Sequence, residues 1–225
     1  KLLKKNHVYD ETMEHDACGV GLVASTEGLK SRKVVEYGIE ALKAVWHRGA
    51  IDADGKTGDG AGIHIEIPND FFAEKIEITG HEHDNSDLCV GMIFLPRNDF
   101  GGQEQCRSIV ESELTKKNFN IYGWRQVPVD PSVLGEKAEQ TRPEITQVLF
   151  THNDKSIHGK DLERALYETR RKIEKEALRN QLNNFYICSF SSKSIIYKGM
   201  FLAESLSDFY PDLKDERFIS RYAIF

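Results

Sequence analysis

The sequence predicts a mixed α and β fold (α+β) in which helices alternate with antiparallel-type strands and hairpins. Three observations carry this. Ile63, Ile65 and Ile67 alternate with His64 and Glu66, a half-buried strand of period two that Pro68 ends. Leu162, Leu166, Thr169, Ile173 and Ala177 recur at helical spacing between residue 159 and about residue 181. Two short apolar runs, 185–190 and 194–197, flank Ser191-Ser192-Lys193 in the pattern of a hairpin.

In chain order, residues 1–17 are polar, charged and without periodicity, and read as a leader or arm. A strand is expected to begin at Cys18, because Cys18-Gly19-Val20-Gly21-Leu22-Val23 combines β-formers with glycines that admit other backbone closely. Glu27-Gly28 marks a turn, and Ser31 suits the N-cap of a helix running to about Trp46, with Val35, Ile39, Leu42 and Trp46 on one face. Gly38 inside it either weakens the helix or lets it pack close to the sheet. His47-Arg48-Gly49 falls at its C-terminal end, where glycine is the usual stop.

Residues 51–61 are rich in Gly and Asp. They read either as a flexible turn or as a loop that wraps a small polar substrate, since glycine backbone offers N–H groups without obstruction. Gly55-Lys56-Thr57 lacks the spacing of a phosphate loop, and no strand leads into it. The strand at 63–67 is expected beside the strand at Cys18. Asn69 or Asp70 is expected to cap a short helix over 71–75.

Residues 79–87 are a polar loop. His81, His83 and Asp84 in it have no further ligand set at a recognised spacing, so no metal site is assigned. A buried strand is expected over 88–95, with Cys89 in the core. Gly101-Gly102 should precede an amphipathic helix through Cys106, Ile109, Val110 and Leu114. A strand over 120–127 should carry Tyr122 and Trp124 on one side, and the whole stretch 88–127 reads as an insert packed on the main sheet. Residues 131–143 are irregular or weakly helical, and 147–150 is another strand. Arg170-Arg171-Lys172 reads as a solvated face paired with Glu168, Glu174 and Glu176. Tyr210-Pro211 is a turn, and 220–225 begins a new strand.

The length of 225 residues has room for one domain or a large part of one. A net charge of −6, with basic residues scattered, argues against nucleic acid as the main partner. No apolar run reaches a membrane span, and Lys1-Leu2-Leu3-Lys4-Lys5 lacks the apolar core of a secretory signal. Cys18, Cys89, Cys106 and Cys188 show no paired spacing and read as reduced cytoplasmic thiols.

Cys18 alone is ambiguous. Small buried cysteines are common. A chain cut before Cys18 would instead carry a nucleophilic thiol and, on the same residue, an α-amine base of ordinary pKa near ~7.7–8.0. The neighbouring stretches decide between these. Glu14-His15-Asp16-Ala17-Cys18-Gly19-Val20-Gly21, then Trp46-His47-Arg48-Gly49-Ala50, then Thr57-Gly58-Asp59-Gly60-Ala61-Gly62 follow in that order. Tyr122-Gly123-Trp124-Arg125-Gln126-Val127-Pro128, Tyr197-Lys198-Gly199-Met200 and Phe209-Tyr210-Pro211-Asp212-Leu213 come after them. This set closely resembles the class II glutamine amidotransferase domain, of the N-terminal-nucleophile type, that opens the large subunit of glutamate synthases. No single piece is specific; the ordered combination is, and it covers essentially the whole chain.

The resemblance implies an Ntn-hydrolase-type four-layer αββα sandwich, here its amino-terminal part. It implies a propeptide over 1–17 and the amidotransferase domain over 18–225. Cys18 would attack the glutamine carboxamide, pass through a thioester and release glutamate and ammonia. Arg48, with the Gly49 backbone nearby, would position the substrate; the bland alternative is a salt bridge from Arg48 to Asp52 or Asp59. Segments that the family carries farther along, Arg-aromatic-Ser-Thr-Asn and the Asn-Gly-Glu of the oxyanion hole, come after Ser220-Arg221-Tyr222-Ala223-Ile224-Phe225. Asn118, Asn120 and Asn184 are not followed by Gly, so these 225 residues alone are expected to show little or no glutaminase activity.

No cofactor is expected within these residues. The FMN, the iron–sulfur cluster and the 2-oxoglutarate site of glutamate synthase, an oxidoreductase of glutamate biosynthesis and ammonia assimilation, would lie in its other domains. The expected partners are glutamine and those domains, with no nucleic acid and no membrane. Two alternatives stand beside this reading. One is an inert structural module of a larger enzyme. The other is a sister class II amidotransferase with another ammonia acceptor, against which Thr-Gly-Asp-Gly-Ala-Gly and Tyr-Pro-Asp-Leu argue.

Overall fold

The computed structural model describes residues 19–45, 51–82 and 87–225. Its elements are β1 (Leu22–Ala24), α1 (Arg32–Ala44), β2 (Ala61–Glu66), α2 (Asn69–Ile78), β3 (Cys89–Leu95), α3 (Phe100–Lys116) and β4 (Phe119–Gln126). There follow α4 (Glu136–Thr141), β5 (Glu144–His152), α5 (Gly159–Arg179), β6 (Tyr186–Ser191), β7 (Ser194–Gly199), α6 (Leu206–Phe209) and β8 (Tyr222–Ile224). The strands form two antiparallel four-stranded sheets, ordered β1-β8-β2-β7 and β4-β5-β3-β6.

Each sheet has its own helical cover. Helix α1 packs on β1, β2 and β8 of the first sheet, and α3 and α5 pack on β3, β4 and β6 of the second. The sheets meet through β7 against β3 and β6. The order is helix, sheet, sheet, helices: an α+β sandwich of four layers. Two cores fill it. One joins α1, α2 and the first sheet to Val90, Met92, Ile145 and Leu149 of the second. The other sets Cys106, Val110 and Leu114 of α3 and Leu162, Leu166 and Ile173 of α5 against Cys89, Ile93 and Leu95.

Helix α1 starts where Ser31 accepts a hydrogen bond from the Lys33 amide, the N-cap its sequence announced. Its buried face is Val34, Val35, Gly38, Ile39 and Leu42. Gly38 is there for proximity: a Cβ added to it would lie 2.5 Å from Ala223 Cβ on β8 and 3.3 Å from Ile63 Cδ1 on β2. Gly38→Val should therefore cost roughly 1–3 kcal/mol through overpacking, although valine outranks glycine in helix propensity. A denaturant midpoint equal to or above that of the unmodified chain would refute this close approach.

Several expectations need correction. The first strand spans only Leu22–Ala24, although Gly21 still exchanges two backbone hydrogen bonds with Phe225 (2.9 and 3.0 Å); Cys18 lies outside the described residues. β1 is not beside β2, because the chain-terminal strand β8 runs between them, pairing Leu22 with Ile224 and His64 with Ile224. Neither Asn69 nor Asp70 caps α2; Pro68 holds that position and makes no side-chain bond. Gly101 and Gly102 lie inside the first turn of α3, where the Gly102 amide donates to Asp99 and a Cβ at Gly102 would collide with that carboxylate at 2.4 Å.

The stretch 88–127 is no insert, since β3 and β4 are two of the four strands of the second sheet. Tyr122 and Trp124 do not share a side. The β4–β5 register slips between Ile121 and Gly123, whose φ of 152° suits glycine, so Tyr122 joins the first core and Trp124 packs on the second. Finally, β6 and β7 do not pair as a hairpin: the chain crosses from one sheet to the other at Ser191-Ser192-Lys193. Glu163 on α5 fixes that crossing, accepting from Ser191 Oγ and from the amide and hydroxyl of Ser192.

No helix of the described residues is long and apolar enough to cross a membrane.

Candidate functional site

Three of the sequence-predicted site residues, Cys18, Arg48 and Gly49, lie outside the described residues, as do His83 and Asp84 of the polar loop. The structure does describe what surrounds those positions in the chain. Gly19 and Val20 lead directly into β1. Gly21 is covered by the ring of Phe225, which a Cβ at Gly21 would meet at 2.2 Å. Val45, the C-cap of α1, lies on one side of residues 46–50, and Ile51 opens the Gly- and Asp-rich loop on the other.

That loop is built, not slack. Ile51 pairs with Gly58, and the Asp52 amide donates to Thr57 O at 2.9 Å. Gly55 takes a φ of +69°, the left-handed turn that glycine permits. Asp54 is the centre: it accepts from Thr57 Oγ1 at 2.5 Å, from the Thr57 amide at 2.7 Å and from the Lys56 amide at 2.9 Å. Thr57 is thereby buried at 4% exposure. The bend before α4 closes over the pair, since a Cβ at Gly135 would lie 2.2 Å from both Asp54 Oδ2 and Thr57 Oγ1. Lys137 on α4 donates to Asp52 at 2.5 Å, so Asp52, one of the two carboxylates considered for Arg48, is held by Lys137.

The Thr57 hydroxyl, then the amides of Thr57 and Lys56, pull the Asp54 carboxyl down to about 2. A depressed carboxylate stabilises the fold above its unfolded pKa and loses that contribution as pH falls through the folded value. Thr57 amide protection against hydrogen exchange should therefore hold down to about pH 4 and decline toward about pH 2. Asp54→Asn should weaken it already at neutral pH. Unchanged protection in that variant would show that the loop does not rest on this carboxylate.

Beyond Gly58 the loop turns into a cavity of about 670 Å³ between the two sheets. Gly19 and Val20 line one side, Asp59 to His64 run along the first sheet, Ile196 and Lys198 to Met200 follow on β7, and Phe94 and Tyr186 face them from the second sheet. The stretch after Cys18 and the Thr-Gly-Asp-Gly-Ala-Gly loop thus wall one space. His64 in it packs edge-to-face on Tyr222 at 5.8 Å, and burial holds its pKa below the ordinary histidine value. Tyr186 was not singled out in the sequence; His64 was read only as the polar side of an alternating strand, and Lys198 only as part of a stretch that carried the family resemblance.

The other thiols are poor competitors for chemistry. Cys89, Cys106 and Cys188 are free and buried. Burial pushes Cys106 and Cys188 up to about 11 and Cys89 well above its usual value, so all three stay protonated at neutral pH. Among the described residues no group of three or more His, Cys, Asp and Glu side chains could hold a metal ion.

Comparison with known proteins gives the same direction. Residues 18–225 match the family model described as class-II glutamine amidotransferases. The chain is 55% identical over 219 residues to the glutamate synthase (NADPH) large chain of Azospirillum brasilense, covering 97% of this chain and 14% of that protein. It is 38% identical over 213 residues to ferredoxin-dependent glutamate synthase 2 of Synechocystis sp., covering 94% and 13%. It is 37% identical over 221 residues to the chloroplastic ferredoxin-dependent glutamate synthase 2 of Arabidopsis thaliana, covering 97% and 13%. The chain therefore spans only 13–14% of the length of these relatives.

Proposed function

This chain belongs to the class-II glutamine amidotransferases, and on that footing we propose that it is the glutaminase part of a glutamate synthase. Glutamine is its substrate and the remaining domains of the enzyme are its partners. The observation that carries the reading is the cavity in which Gly19 and Val20, next to Cys18, face the Gly- and Asp-rich loop.

With residues 1–17 removed, the Cys18 α-amine takes the thiol proton and Sγ attacks the side-chain carboxamide carbon. The C–N bond breaks, the α-ammonium returns the proton to the leaving nitrogen, and ammonia departs from a thioester. Water, deprotonated by the same amine, adds to the thioester carbon. The C–S bond breaks, and glutamate and the thiol are regenerated. Arg48 and the Gly49 backbone orient the substrate at the loop whose far end Asp54 and Lys137 fix.

In the full enzyme the ammonia serves glutamate synthesis from 2-oxoglutarate. The FMN and iron–sulfur cluster belong to chain outside these residues. The free thiols of Cys89, Cys106 and Cys188 support a reducing compartment, the cytoplasm.

The test is alkylation of the purified protein by the diazoketone analogue of L-glutamine, followed by peptide mapping. Adduct on Cys18, blocked by excess glutamine and absent from the other three cysteines, is the expected result. Adducts spread over the cysteines, or no protection by glutamine, would rule the reading out.

A further inference from the structure

The second sheet ends in a cleft to which the reaction above gives no task. Leu95 pairs with Glu144 across β3 and β5, and Phe94 pairs with Tyr186 across β3 and β6. One residue further along their strands stand Pro96 and Pro143. Neither has an amide hydrogen to give a ladder, so the pairing stops and the strand tails part. A cavity of about 680 Å³ opens there, lined by residues 94–99, 140–143 and 183–186. It shares only Phe94 and Tyr186 with the cavity at the first sheet.

The cleft carries charge of both signs. Continuing the β3–β5 register two residues past Leu95 sets Arg97 opposite Arg142, and both guanidinium groups converge on one carboxylate. Glu139 of α4 accepts from Arg97 Nη1 at 2.5 Å and from Arg142 Nε and Nη2 at 2.7 and 3.2 Å. One carboxylate between two cations leaves a positive charge over, with donors on both forks unused. Asp99 lines the same cavity. It caps α3, where Oδ1 accepts from the Gly102 amide at 2.9 Å, and Oδ2 makes no hydrogen bond with the described residues. No ion pair joins Asp99 to Arg97 or to Arg142. The loop that bears Arg97 and Asp99 is held from behind: Gln103, buried in α3, donates Nε2 to the carbonyls of Pro96 at 2.9 Å and Arg97 at 3.2 Å. Asn98, Asn183 and Asn184 add carboxamides whose side chains make no hydrogen bond with the described residues.

Opposite charges that line one cavity without pairing, each with hydrogen-bonding capacity left, match a ligand that carries both signs close together. We propose that this cleft binds a free α-amino acid with a polar side chain, its carboxylate on the forks of Arg97 and Arg142 and its ammonium on Asp99. The carboxamides receive the side chain. A plain anion would gain the arginines but meet the charge of Asp99, and a plain cation the reverse. This site stands independently of the glutaminase reading.

The test titrates L-serine, which has no side-chain amide to hydrolyse, into the ¹⁵N-labelled protein and follows the Nε–H signals of Arg97 and Arg142 by NMR. L-serine should shift both saturably, with half-saturation at about 1 mM or below. N-acetyl-L-serine, which lacks the ammonium, and L-serinamide, which lacks the carboxylate, should each need about tenfold more. Asp99→Asn keeps a good N-cap and removes the charge. It should weaken L-serine about tenfold and should not weaken N-acetyl-L-serine. Absence of a saturable shift at about ten times the expected concentration would overturn the proposal. So would equal half-saturation by L-serine and N-acetyl-L-serine, which would leave an unselective anion site, or an Asp99→Asn protein that binds L-serine as the unmodified protein does.

Discussion

Replacing Asp212 by Ala should destabilise the protein by about 3–5 kcal/mol, the range found when one partner of a buried ion pair is removed. Asp212 accepts two parallel bonds from Arg125, 2.7 Å each, with side-chain exposures of 5% and 14%. Arg125 also donates to Gln147 Oε1 at 2.7 Å, Gln147 donates to Tyr197 Oη at 3.1 Å, and Tyr197 donates back to Asp212 at 3.1 Å. The ring closes with every charge and hydroxyl satisfied. Removing the carboxylate leaves a largely buried guanidinium without its counter-charge, and leaves Tyr197 without its acceptor. Against a total stability of about 5–15 kcal/mol the loss is large.

The double variant Arg125→Leu/Asp212→Leu should lose less than Asp212→Ala alone, because no charge is stranded. Urea unfolding of the single and double variants gives the comparison. A loss below about 1 kcal/mol for Asp212→Ala would place the pair among surface ion pairs and contradict the geometry.

The second large effect concerns chemistry. Cys18→Ala should abolish reaction with the glutamine analogue, a fall of at least ~1000-fold, in line with nucleophile removal elsewhere. Cys89→Ala, Cys106→Ala and Cys188→Ala should leave it in place. Cys89 and Cys106 point into the core between the second sheet and its helices, and Cys188 into the core between the sheets; all three are held protonated by burial. Reaction that survives in Cys18→Ala and disappears in one of the others would move the nucleophile.

Much of this architecture was legible. The period of α5, with Leu162, Leu166, Thr169, Ile173 and Ala177, is its buried face residue for residue. Ser31 announced how α1 begins, and of the two readings open for Gly38 the structure shows the close approach to the sheet. What could not be read was long-range pairing. Nothing local in Tyr222-Ala223-Ile224 says that it divides β1 from β2, and the turn at 191–193 looks the same whether its strands pair or part to different sheets. The bulge at Gly123 reversed the facing of Trp124 in a segment whose alternation appeared regular.

The same limit applies to the motifs. Arg125, Tyr197 and Asp212 lie in three stretches that carried the family resemblance, and the structure brings them into one buried network whose work is structural. Lys198 sits beside Tyr197 in sequence yet faces the cavity, because neighbours on a strand point to opposite sides. For the site itself, the sequence proposed Cys18, Arg48 and Gly49, which lie outside the described residues. The structure supplied the loop anchored by Asp54 and Lys137, and the cavity to which it leads.

The central claim is that Cys18 works as an amino-terminal nucleophile, and it is tested most directly on the molecule that reacts. The protein is treated with the diazoketone analogue of L-glutamine, and the adduct-bearing chains are isolated for intact mass and amino-terminal sequencing. The account predicts a single adduct on chains that begin at Cys18, with residues 1–17 gone. Adduct-bearing chains that still carry residues 1–17 would show a reactive cysteine whose nitrogen is a peptide amide, and would contradict the claim that its own amine is the base.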